Sequence, residues 1–174
     1  DIVARGGFTL LAAEEVAGKT AWLMRLAEAV ITGQPFMKQL HTIRGRVLMI
    51  QADEPLQDSE AKLRLMELPV AMLEIMFVDK FDLLKIFEVI SSKVYDLVIL
   101  DSFTYGLTDD RVRVTDDAFT DRLYKLRKWF SEYNVAGIGT THLNKPFNGQ
   151  ARQTITKHDI AGLSTIRNAT SDIW

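Results

Sequence analysis

Gly18-Lys19-Thr20 sets a glycine, an ammonium and a hydroxyl on three successive residues near the start of the chain. A loop of the pattern G-x-x-x-x-G-K-S/T uses those groups to handle phosphate. Its backbone N–H groups and the helix start behind it hold the anion, the lysine reaches the outer phosphates, and the hydroxyl ligates magnesium. The full stretch, "AAEEVAGKT", departs from the pattern in its first half. Ala13 stands where the first glycine belongs, and Val16 and Ala17 carry no functional group. Glu14 and Glu15 bring carboxylates to where a triphosphate would lie, and at ~4 Å two like charges repel by roughly 1–4 kcal/mol. Turned outward into solvent, they would leave the loop usable. The rival reading is a vestigial loop in which Lys19 is tied by a salt bridge to Asp101 or Asp53.

Three further groups carry chemistry at comparable positions. "YDLVILDS" ends four apolar residues on Asp101, an acid able to hold a magnesium-bound water shared with the Thr20 hydroxyl. Its plain alternative is a strand closed by an Asp-Ser capping turn. "QADEP" ends another apolar run on Asp53 and Glu54, either of which qualifies as the base that orients an attacking water. Asp53 equally suits the N-cap of a helix begun by Pro55. "GTTHLNK" closes a third run with Thr140, Thr141 and His142, a polar cluster suited to reading a terminal phosphate by hydrogen bonding. The polar stretch "NKPFNGQARQTITKHD" carries Lys145, Arg152 and Lys157, with Phe147 available to stack on a base. Arg111 and Arg113 could join that basic patch, whose alternative is a solvated loop. His41 and His158 read as surface residues.

These residues need a scaffold that brings strand ends together. Short apolar runs at Phe8–Ala13, Arg46–Asp53, Tyr95–Ser102 and Ala136–Leu143, with a weaker one at Leu73–Asp79, predict strands of a parallel sheet covered on both faces. Between them lie helical patterns. Phe119, Leu123, Leu126, Phe130 and Tyr133 step by four and three along Asp116–Tyr133, with Val114-Thr115-Asp116 as the expected cap. Thr20–Ile31, stopped by Gly33, Leu56–Leu68, stopped by Pro69, and Phe81–Ile90 complete the set. Strand–helix alternation predicts an α/β fold, and ligands of such folds sit beyond the carboxyl ends of the strands. Ala13, Asp53, Asp101 and His142 all fall there.

Composition bounds the rest. The 174 residues, 47% hydrophobic and 25% charged, suit one globular domain over residues 1–174. A start at Asp1 without methionine and a close at Trp174 suggest a segment of a longer chain. No apolar run nears the ~18 residues of a membrane span. Zero cysteines exclude disulfides and thiolate metal sites, and with no basic-apolar leader the expectation is a cytoplasmic protein. A formal net charge of −2 argues against a generally basic coat, so nucleic acid would need a local patch.

Together the motifs resemble the RecA-like ATPases, most closely the branch holding the RepA-type replicative helicases and KaiC-like proteins. "GFTLLAAEEVAGKT" resembles the first strand and Walker A loop, "RVLMIQADEP" the strand bearing the catalytic acid, and "YDLVILDS" the Walker B strand. "GTTHLNK" resembles the sensor strand and "IAGLSTIRNATSDIW" the segment closing the core. The resemblance implies a mainly parallel twisted sheet with helices on both faces, and ATP with Mg2+ bound at the subunit interfaces of a ring or filament. In many members it also implies motor or recombination work on DNA, with the loops after Asp101 and His142 facing a central channel. The family's catalytic glutamate matches Asp53, one methylene shorter, with Glu54 beside it; the arginine finger from a neighbouring subunit has no exact match, and Arg167 or Lys157 lies in about its region. The expected function is therefore an ATP-hydrolysing domain acting in an oligomer on DNA. The rivals are a non-hydrolysing scaffold and a KaiC-like signalling ATPase without DNA contact.

Overall fold

The computed structural model describes residues 3–14, 17–52, 72–109, 111–113, 117–143 and 172–173. Its strands are β1 Phe8–Ala13, β2 Val47–Gln51, β3 Leu73–Phe77, β4 Leu97–Asp101, β5 Ala136–His142 and β6 Asp172–Ile173. They form one sheet in the order β3-β2-β4-β5-β1-β6, and every pairing is parallel. The five expected apolar runs are all strands. β6 is an addition, paired to β1 through Thr9–Asp172 and Leu10–Ile173. β2 and β4 are buried along their whole length, as strands covered on both faces must be.

Four helices are described: α1 Lys19–Thr32, α2 Leu83–Ser92, α3 Phe103–Leu107 and α4 Asp117–Tyr133. The stripe expected on α4 is the one it buries, through Phe119, Leu123, Leu126 and Phe130. α1 stops at Gly33, whose φ of 72° lies in the left-handed region. α2 starts two residues after the expected Phe81, because the Asp82 side chain accepts from the N–H groups of Leu84 and Lys85 and caps it. The short α3 directly after Asp101 was not expected. The Leu56–Leu68 pattern, the Val114–Asp116 cap and His158 lie outside the described residues, and His41 is exposed.

The period of two along each strand divides the core into two layers. Leu23, Leu26, Ala27 and Ile31 of α1 pack on Val47, Met49, Leu97, Ile99, Ala136 and Ile138. The opposite face, with Phe8, Leu48, Ile50, Val98 and Leu100, is covered by α2, α3 and α4. There Gly137 and Gly139 of β5 leave room for aromatic rings. A Cβ on Gly137 would lie 2.7 Å from Phe130 Cζ, and one on Gly139 would lie 2.8 Å from Phe103 Cβ. Phe8 packs against both rings, with centroids 5.0 Å from Phe103 and 5.4 Å from Phe130.

Candidate functional site

The same alternation that buries Val47, Met49, Leu97, Ile99 and Ile138 under α1 brings a polar residue to that face at each strand's carboxyl end. These are Gln51 in β2, Asp101 in β4, and Thr140 and His142 in β5. Gln51 lies level with Asp101, and Ala13 lies level with His142. α1 enters above them through Gly18, whose φ of 78° suits glycine and whose position meets no atom within 4 Å. The N–H groups of the helix's first turn have no intrahelical acceptor, so they and the macrodipole present a positive end to this edge of the sheet.

Lys19 and Thr20, the first residues of α1, reach the strand ends in two directions. Lys19 Nζ donates to the carbonyl oxygens of Glu14 at 2.8 Å and Ala13 at 3.3 Å, and lies 3.2 Å from His142 Nδ1. Thr20 Oγ1 donates to Asp101 Oδ2 at 2.8 Å, and the Thr140 hydroxyl donates to Asp101 Oδ1. Each oxygen of the buried carboxylate therefore accepts a hydroxyl. The vestigial reading had Lys19 bridging Asp101 or Asp53. Hydroxyls bond Asp101, Lys19 bonds the loop carbonyls and His142, and Asp53 lies outside the described residues. The peptide joining Asp101 to Ser102 is cis.

Ala13 ends β1 outside the left-handed region, in a conformation that any residue adopts. Its carbonyl also accepts from the N–H of Leu143 at 3.2 Å. Glu14 is exposed, which leaves its carboxylate solvated. Ala17 is exposed as well, and its N–H donates to Glu14 O at 3.4 Å. Of the other expected site residues, Glu15, Val16, Asp53, Glu54, Lys145, Arg152, Lys157 and Arg167 lie outside the described residues. Arg111 and Arg113 are exposed beyond α3. Asp109 organises that turn. Its carboxyl is held below the usual range first by the Arg111 N–H, then by the Arg122 guanidinium 3.0 Å away.

Thr20 and Asp101 offer oxygen donors of the kind a hard divalent cation takes. Among the described residues no group of three or more His, Cys, Asp or Glu could hold a metal. A cation here would be shared between this pair, water and a ligand's own oxygens. Two features escaped the sequence reading: the Thr140–Asp101 bond and the burial of Gln51 beside Asp101. Both depend on strand register, for which "GTTHL" and "IQADEP" carry only a parity signal.

The sequence model of a family described as an AAA domain matches residues 1–147. No curated protein matches the chain. Among solved structures, a DnaB-like replicative helicase superposes with a TM-score of 0.73 at 12% identity, covering 98% of this chain and 46% of that one. This chain thus spans about half the helicase's length. A chain described as an ATPase domain gives a TM-score of 0.74 at 13% identity, covering 98% and 69%. A KaiC-like protein from the hyperthermophilic archaeon Pyrococcus horikoshii OT3 gives 0.64 at 14%, covering 97% and 70%. At these identities the likeness is one of fold, the α/β fold of RecA-like P-loop ATPases. No helix among the described residues is long and apolar enough to cross a membrane.

Proposed function

Because the chain belongs to the AAA domain family and has the RecA-like P-loop fold, we propose that it binds ATP with magnesium, hydrolyses it, and acts in an oligomer on DNA. One observation carries the reading. Thr20 meets Asp101 across 81 residues of sequence and Lys19 meets His142 across 123, so an ammonium, a hydroxyl, a carboxylate and an imidazole converge at one helix start. In this reading Lys19 leaves the carbonyls of Ala13 and Glu14 for the outer phosphates, while the α1 N-terminus and the loop from Ala13 to Gly18 hold the rest. Thr20 and Asp101 would hold the magnesium, which when bound neutralises charge on the phosphate oxygens. Asp53 or Glu54 would orient the water. His142, beside Lys19, would read the terminal phosphate, and Arg167 or Lys157 of a neighbouring copy would supply the finger. Asp101 keeps its orientation through Thr140.

Phosphate release separates an ATPase from a scaffold that keeps the fold. Magnesium-dependent release by the wild type should fall on the order of 100-fold in Lys19→Ala, the scale of losing a group that stabilises transition-state charge. Saturable binding of ATP without release would favour the scaffold, a reading motivated by Glu14, Glu15 and the short Asp53.

Contact with nucleic acid would rest on Arg111, Arg113, Lys145, Arg152 and Lys157. Binding to single-stranded DNA should weaken as salt rises, with a log–log slope of about −0.7 per neutralised phosphate. Arg111→Ala and Arg113→Ala should each flatten that slope by about one contact. DNA affinity that is absent, or indifferent to salt, would favour a signalling ATPase.

A further inference from the structure

We propose that Gln51 is a positioning residue for the water shell of the cation held by Thr20 and Asp101, an inference that rests on the nucleotide-binding reading above. Gln51 is 2% exposed, and its Oε1 finds no hydrogen-bond partner among the described residues. It pairs in register with Asp101 and alternates onto the same α1 face, on the side of the carboxylate opposite β5. The hydroxyls of Thr20 and Thr140 already serve the two carboxylate oxygens, so the amide oxygen is the acceptor left over at this level. Ser102 Oγ and Thr141 Oγ1 are likewise buried without a partner. Thr141 follows Thr140 and so alternates to the opposite face, and Ser102 lies past the end of β4, which leaves Gln51 as the orphan acceptor on the α1 face. A buried oxygen without a donor is unfavourable and marks a place where a donor arrives. Water on a small hard dication fits the demand. Magnesium keeps several waters, and a water whose lone pair faces the metal can only donate to its surroundings.

The test compares the affinity of a fluorescent, non-hydrolysable ATP analogue in excess magnesium and in EDTA, for the full chain and two variants. Gln51→Met keeps the length and removes the acceptor. The gain in affinity from magnesium should fall about tenfold, the usual scale for losing a partner of a metal's ligand shell. Affinity in EDTA should stay at the wild-type value. Gln51→Glu keeps the acceptor and should retain the magnesium gain. Urea unfolding of Gln51→Met should show a midpoint equal to or above the wild type, because it removes an orphaned acceptor. An unchanged magnesium gain in Gln51→Met, equal losses in both media, or a Gln51→Glu variant as weak as Gln51→Met would each overturn the proposal. A wild type that binds the analogue but gains nothing from magnesium overturns it alone. A wild type that binds no analogue in either medium removes the reading beneath it as well.

Discussion

Asp101 is buried to 3% exposure and accepts a hydroxyl at each oxygen, Thr20 from α1 and Thr140 from β5. A buried carboxylate tolerates such a place only while its lone pairs are met. Thr140→Val keeps the side chain's shape and removes one donor, so unfolding free energy should fall by about 1–3 kcal/mol. Urea denaturation would register this as a lower midpoint at unchanged slope, and an unmoved midpoint would mean that the bond contributes nothing to stability. Ala13, which stands where the first glycine of the loop pattern belongs, ends a strand with ordinary backbone geometry, whereas Gly18 keeps the positive φ where the chain turns into α1. Residue types identified Lys19, Thr20, Asp101 and His142. They could not reveal that Glu14 serves Lys19 through its backbone carbonyl while its side chain stays exposed.

β5 works on both faces of the sheet. Thr140 and His142 face the α1 side, while Gly137 and Gly139 leave the opposite side open to Phe130 and Phe103. In Gly139→Ala the new Cβ would sit 2.8 Å from Phe103 Cβ and 3.1 Å from Phe8 Cζ, in a layer where Phe8 and Phe103 are fully buried. Overpacking of this kind costs about 1–3 kcal/mol. Thermal or urea unfolding should report that loss, and a neutral result would mean that the layer yields to an added methyl. Elements with a long periodic signal were legible, as α4 and the five apolar strands attest. α3 and β6 were not, because five residues and two residues are too few for periodicity to register. The trimmed start of α2 follows from Asp82, a cap within an apolar pattern that would otherwise begin at Phe81.

The order of strands ties the site together, and it is the part of the fold that sequence discloses least. β5 inserts between β1 and β4, which pairs Ala13 with His142 and carries Thr140 to the level of Asp101, one step beyond the Leu100–Gly139 pair. Such neighbours are chosen by long-range packing, so apolar runs alone announce a parallel sheet without saying which strand lies next to which. The resemblance to RecA-like ATPases supplied the expectation of a mainly parallel sheet with helices on both faces, and the fold agrees with it; it did not include the order of the strands. Binding of ATP is the claim on which the proposed turnover depends, and Lys19 is its narrowest point. Equilibrium titration with a labelled ATP analogue and magnesium tests it most directly, alongside Lys19→Ala checked for an unchanged unfolding midpoint. Saturable binding by the wild type, weakened on the order of 100-fold in the variant, is the predicted result; equal binding by the two proteins would contradict it.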